Sequence, residues 1–371
     1  VTPDDELACA AALVGLGGMT PVRLARLLDG HGPVTAWRAV AAGTHPADRA
    51  HRFRAEARTV EPSAVVQRYR AAKSRVLLPG RPGYPPALVG DPGAPAVLSA
   101  SGDPSVLEAR PAVAVVGTRS ATRYGVRVAS DLGRGLAEAG VVVVSGLASG
   151  IDAAAHAGAL AAGPGAAPPV AVVGTGLDVV YPRENARLWA QVVDRGAVLS
   201  EAALGTPPRP RVFPARNRII AGLSDVVVVV ECHGRGGSLH TVEAAARRSI
   251  PVCAVPGAVH SPASVGTNGL LVDGCIPVRD VDDVLVALGM AGGAPTVSVP
   301  DHRAHARVDS GPSAPVDRLE RVVWEAVGSE PTSIESVLLR TNLSLATLSG
   351  TADTLVRRGL LVEGAGWWSR T

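Results

Sequence analysis

Six short runs of this chain are almost wholly apolar and recur at a regular interval: AVAVVGTR (112–119), VVVVSG (141–146), VAVVGTG (170–176), AVLSE (197–201), DVVVVVE (225–231) and PVCAVPG (251–257). A strand with one wet face alternates apolar and polar residues, whereas a run that is apolar throughout is expected where helices cover both faces of a sheet. Helix-length segments separate the runs, so the pattern predicts an α/β fold built on an extended, doubly wound, mostly parallel sheet. Ligands of such sheets bind beyond the carboxyl ends of the strands. In this chain those ends are where Gly, Ser, Thr and Arg collect.

The flanks follow different patterns. Residues 6 to about 60 read as helical: ELACAAALVGL, a Gly-Gly turn, then TPVRLARLLDGHG, with Thr20 placed to cap and Pro21 at the first helical position. This predicts a small helical domain over 1–64 ahead of a sheet domain over 65–290. Residues 291–315 (AGGAPTVSVPDHRAHARVDSGPSAP) lack apolar periodicity and read as a linker. In 316–371, Thr332 with Glu335 suggests a capping box, Ser344 a second cap, Gly359 a helix end, and LLVEGAGWWSR a two-stranded wing. Three helices and a wing predict a C-terminal winged-helix domain.

Composition narrows the chemistry. Hydrophobic residues make up 47% of the 371 but aromatics only 3%, so the core is expected to be Val, Leu, Ile and Ala. The net charge is +3, carried almost entirely by arginine, for Lys73 is the only lysine. A Walker A loop needs Gly-Lys-Ser/Thr, and RYRAAK contains no glycine, which excludes a P-loop NTPase. Cys9, Cys232, Cys253 and Cys275 form no CxxC pair, so buried, reduced thiols are expected. The first apolar patch follows Asp4, Asp5 and Glu6, not a basic segment, and no run reaches the roughly 18 apolar residues of a membrane span. A soluble, cytoplasmic protein is expected.

The loops carry the candidate site. GTRSATRYG places Arg119, Ser120 and Thr122 ahead of a helix, where free amides flanked by guanidinium and hydroxyl groups suit an anion. CHGRGGSLHTVEAA places Gly236, Gly237 and Ser238 ahead of another helix, a second such nest on the same edge. Asp152 and His156 in SGLASGIDAAAH have a spacing that could hold a metal, but with no third ligand near them capping and packing are the better reading, and Ser145 and Ser149 miss the GxSxG pattern. Gly174 and Gly176 would admit close approach of a ligand. The stretch RPRVFPARNRIIAGLS adds Phe213 beside Arg216, Asn217 and Arg218. Guanidinium groups grip phosphate oxygens and a ring stacks on any base. Asn217 is read either as a cap on IIAGLS or as a ligand contact.

Taken in order, GTRSATRYG, SGLASGIDAAAH, YPRENARL, FPARNRIIAGLS, GSLHTVEAA, VPG and GTNGLLVDGC resemble the motifs of the DNA-processing protein family DprA, also called Smf, over about residues 76–285. The resemblance implies an extended Rossmann-like fold that dimerises, and a protein that binds and protects single-stranded DNA and helps load the recombinase RecA during natural transformation. It implies no catalytic turnover, no cofactor and no metal. By motif position it assigns DNA contacts to Arg119, Ser120, Phe213, Arg216, Asn217, Arg218, Gly237 and Ser238. The N-terminal helices are similar to a sterile-alpha-motif-like module of that family, and the C-terminal segment to its third domain.

Departures from the family pattern are Val242 and Glu243 after Thr241, where Ala is usual, the stretch SIPVCAVPG, and the lack of lysine in the pocket. The expected recognition helix of the winged domain, SLATLSGTADTLVRRG, carries cations only at Arg357 and Arg358, which favours a protein contact or a weak DNA contact over base reading. An alternative of another class is a Rossmann-like nucleotide phosphoribohydrolase resembling the LOG proteins. GGSLHTVE offers it two glycines, Thr241 and Glu243, with the spacing off by one residue.

Overall fold

The computed structural model describes residues 2–108, 111–210, 212–234, 236–290, 317–327, 332–364 and 367–370. The predicted linker, 291–315, lies outside these residues. Two compact units form, Val1–Ser298 and Val299–Thr371.

The first unit opens with α1 (Pro3–Gly15), α2 (Pro21–Leu28), α3 (Pro33–Ala42), α4 (Arg54–Ala57) and α5 (Pro62–Ala71). Thr2 caps α1 in a reciprocal box with Asp5, and Thr20 accepts from the Arg23 amide at the start of α2. Leu13, Leu27, Trp37 and Tyr69 close a core that also takes in Val76, Leu78 and Val97 at the sheet edge. These helices therefore share a core with the sheet, and residue 64 falls inside α5.

At that edge β1 (Ser74–Leu77) and β2 (Leu98–Gly102) pair antiparallel. The chain then alternates strand and helix: β3 (Ala112–Val116), α6 (Arg123–Glu138), β4 (Val142–Ser145), α7 (Ile151–Ala161), β5 (Val170–Val173), α8 (Ala186–Arg195), β6 (Ala197–Ser200), α9 (Val212–Gly222), β7 (Val226–Val229), α10 (Leu239–Ala246), β8 (Val252–Ala254), α11 (Val265–Val272), β9 (Ile276–Pro277) and α12 (Val281–Met290). All six predicted strands are present. The nine strands lie in the order β1-β2-β6-β5-β4-β3-β7-β8-β9, parallel from β6 to β9.

Both faces of the parallel block are covered, which explains the unbroken apolar runs. Val113 and Val115 of β3 pack among Leu132, Ala155 and Leu288 of α6, α7 and α12, while Ala112, Ala114 and Val116 pack among Ile219, Ala245 and Leu270 of α9, α10 and α11. From β3 the chain winds outward through β4, β5 and β6, then returns to lay β7 on the other side of β3. This is a Rossmann-like doubly wound sheet whose switch point lies between β3 and β7, where ligand clefts form.

The second unit contains α13 (Arg318–Ala326), β10 (Thr332–Ser333), α14 (Ile334–Thr341), α15 (Leu345–Arg357), β11 (Leu361–Gly364) and β12 (Trp367–Arg370), with the strands antiparallel in the order β10-β12-β11. Val323, Val337, Leu348, Leu355 and Trp368 fill its core. The cap of α14 is Ser333, which accepts from the Ser336 amide. Thr332, the residue expected there, pairs instead with Trp368 in the sheet. Ser344 caps α15 as predicted.

Candidate nucleic-acid interface

At the switch point the loops after β3, β4, β5, β6 and β7 enclose a cleft of about 510 Å³. Arg119, exposed on the loop after β3, sets its guanidinium carbon 4.6 Å from the centroid of the Phe213 ring. Such a cation–π contact is worth about 0.5–1 kcal/mol at an exposed site. Phe213 sits in the first turn of α9 and leans on Tyr181, with centroids 5.5 Å apart and an interplanar angle of 34°. Exposed Arg209 lines the same cleft, although the sequence argument did not assign it. Its only signal was membership of the arginine-rich stretch.

Arg216 is different in kind. It is 7% exposed and lies at the floor of the cleft, where Nη1 donates to the carbonyls of Gly146 (2.7 Å) and Val172, Nε donates to Asn217 Oδ1 (3.1 Å), and Nη2 lies 3.7 Å from Asp152 Oδ2. Gly146 leaves the space the guanidinium fills, since a Cβ there would overlap it and force it to shift. Burial pulls the Arg216 pKa down to about 10 and pushes that of Asp152 up, each offset in part by the other's charge. Arg216 joins the ends of β4 and β5 to α7 beneath the cleft: its Nε and Nη1 donors are used inside the protein, and Nη2 faces the Asp152 carboxylate.

The two predicted anion nests also part company. At the start of α6 the seat is filled from within. Glu231, 2% exposed at the end of β7, accepts from the Thr122 amide at 2.9 Å and from the Thr122 hydroxyl, and a Cβ on Gly125 would overlap its carboxylate. The expectation of an open nest there is therefore corrected. Sequence reasoning missed Glu231 because 109 residues separate it from Thr122.

At the start of α10 the seat is open. Among the described residues, a Cβ on exposed Gly237 would meet nothing within 4 Å, and the buried Ser238 Oγ has no hydrogen-bond partner. Asn217 Nδ2 donates to the Gly237 carbonyl at 3.1 Å. In a planar trans peptide the next amide, that of Ser238, points the opposite way. Asn217 lies inside α9, which begins at Val212, so it caps no helix and acts as a brace between Arg216 and α10.

The remaining candidates lie elsewhere. Arg218 turns away from the cleft to pair with Glu201 at 2.6 Å, because residues two apart on a helix face opposite sides. Ser120 is exposed near the rim, with its amide on Thr118 Oγ1, and does not line the cleft. Gly176 admits the chain's own Ala203 carbonyl, 2.5 Å from where a Cβ would be, and Gly174 admits Val212 at 3.0 Å. His156 is wholly buried with Nε2 on the Val170 carbonyl at 3.2 Å, and burial lowers its pKa to about 4. His156 thus serves packing, and Asp152 is the buried counter-charge of Arg216. Glu243, which the phosphoribohydrolase alternative needs, lines a separate groove with Arg247 and Arg248. Burial also pushes the Cys9 thiol up to about 11 and that of Cys253 to about 12, which makes both poor nucleophiles at neutral pH.

Fold and cleft together define a class: a doubly wound α/β protein whose switch point gathers an exposed arginine, a ring and an open helix N-terminus, groups whose chemistry suits an anion. Residues 75–289 match the family described as DNA recombination-mediator protein A, and the chain belongs to this DprA/Smf family. It is 30% identical to Protein Smf of Synechocystis sp. over 331 residues, which covers 83% of this chain and 82% of that one. Among solved structures it is similar to DprA of Streptococcus pneumoniae, with a TM-score of 0.66 and 33% identity, covering 77% of this chain and 98% of that one. It is also similar to DprA of Helicobacter pylori, whose structure is described for its single-stranded DNA binding mode, with a TM-score of 0.52 and 29% identity over 59% of this chain and 96% of that one.

Proposed function

We propose that this chain binds single-stranded DNA in the switch-point cleft without sequence preference, shields it, and helps load RecA onto it during natural transformation or recombination, with no catalytic turnover. The observation that carries this reading is the exposed Arg119 guanidinium against Phe213, beside the open start of α10. A cation, a ring and free amides suit a phosphate and an adjoining base, and none of them reads base identity. The single-strand binding described for the H. pylori relative supports the same ligand.

In this reading the protein works in the cytoplasm as a homodimer formed through the sheet domain at 65–290, with the helical module at 1–64 and a linker at 291–315. The unit at 316–371 is a winged helix suited to a protein contact or a weak DNA contact. On α15 only the last turn is basic, and Arg358 is tied to Glu320.

Fluorescence anisotropy of a labelled single strand against its duplex, over a salt series, tests the ligand. Three to five bound phosphates give a slope of log affinity on log salt of roughly −2 to −3.5, at about 0.7 per phosphate. A preference for duplex would overturn the reading.

A further inference from the structure

Glu231 is a buried carboxylate that the cleft itself does not use. Its two oxygens take the Thr122 amide and hydroxyl, and its backbone carbonyl takes the Thr118 amide at 2.8 Å. Thr118 and Thr122 bracket Arg119. The loop that carries the exposed guanidinium is therefore tied at both ends to one residue at the end of β7. Gly117 and Gly125 leave the space this requires, since a Cβ on Gly117 would lie 2.8 Å from the Glu231 carbonyl and one on Gly125 would overlap the carboxylate.

We propose that Glu231 is a positioning residue for single-strand binding: it holds the 118–122 loop so that Arg119 stands over Phe213 before any strand arrives, and its charge closes the start of α6 to phosphate. This rests on the single-strand reading above. The physical reason lies in the cost of ordering. A loop and a long side chain that must be fixed on binding lose conformational freedom then, whereas a loop already fixed by charge-assisted hydrogen bonds has lost it during folding. Closing the α6 corner also directs the strand to the α10 corner, where Gly237 and Ser238 are open.

The test is a double-mutant cycle on the full chain, with a labelled oligothymidylate as probe. Arg119→Ala is expected to weaken binding about tenfold, the loss of one charged contact. Glu231→Gln is expected to do nearly the same and to flatten the salt slope equally, while the double variant is no more than about twofold weaker than Arg119→Ala alone, as coupled residues require. Thr122→Val should follow Glu231→Gln, and Thr122→Ser, which keeps the hydroxyl, should bind as the parent does. The Thr122 pair carries the test if Glu231→Gln does not fold. Two results would overturn the proposal: effects of Arg119→Ala and Glu231→Gln that multiply, or Glu231 and Thr122 variants that lose stability while binding with the parent affinity and slope. If Arg119→Ala alone binds as the parent does, the fault lies in the single-strand reading of the cleft and the positioning role falls with it.

Discussion

The loops after β3 and after β7 look alike in sequence: each leaves an apolar strand, passes glycine and hydroxyl residues, and enters a helix. Folded, they are opposites. At the start of α6 the amide and hydroxyl of Thr122 face a carboxylate supplied by the chain, whereas at the start of α10 Gly237 is open and the Ser238 hydroxyl is unpaired among the described residues. The same physics, negative charge at a helix N-terminus, builds the scaffold in one place, and the other is left without an internal carboxylate among the described residues. Chemistry that suits an anion marks a site only once the protein's own anions have been placed.

The arginines of the cleft repeat this contrast, and the largest expected effect separates them. Arg216→Ala strands Asp152 as an unpaired buried acid and should cost about 3–5 kcal/mol of stability, seen in urea unfolding. A folded, stable Arg216→Ala chain that merely binds DNA less well would reverse the assignment and make Arg216 a ligand contact.

Next in size is a pH effect from the layer beneath the cleft. The folded pKa of His156 is lowered to about 4 from an ordinary 6.5. The unfolded chain therefore binds this proton more readily, and stability falls as pH drops from 6.5 toward 4, by about 3 kcal/mol over the whole window at 1.36 kcal/mol per unit. His156→Gln should remove that part of the pH dependence. Asp152, whose pKa is raised by burial, contributes with the opposite sign and is common to both chains. Parallel stability–pH curves for parent and variant would contradict the account.

Smaller still are changes confined to binding. Arg119→Ala with Arg209→Ala should flatten the salt slope by about 1.4, two phosphates at 0.7 each, while Arg218→Ala, held by Glu201 away from the cleft, should leave it unchanged. An equal change in both would mean that exposure in the cleft does not decide which arginines meet the strand. Ser238→Ala should be mildest, a loss of about fivefold or less in affinity for one neutral hydrogen bond, and no loss would remove the Ser238 hydroxyl from the proposed contacts.

Much of this fold was legible because a strand buried on both faces announces itself: β3 to β8 each read as an apolar run. β1, β2 and β9 did not, being edge or near-edge strands interrupted by Ser, Arg, Gly or Pro. The site was legible in its parts and not in its arrangement. Arg119, Phe213, Gly237 and Ser238 line the cleft together. Arg216 and Arg218 could not be told apart while residues 209–218 were read as a loop, for only as part of α9 does their two-residue spacing send one inward and the other to Glu201. Glu231 was invisible for another reason: its partner is distant in sequence, and period and composition carry no record of such contacts.

The most direct measurement is a structure of this chain with a short oligothymidylate bound. The account predicts a phosphate against the amides at Gly237 and Ser238 with Arg119 on its oxygens, while Glu231 stays on Thr122. A phosphate seated at the start of α6, with Glu231 displaced, would contradict it.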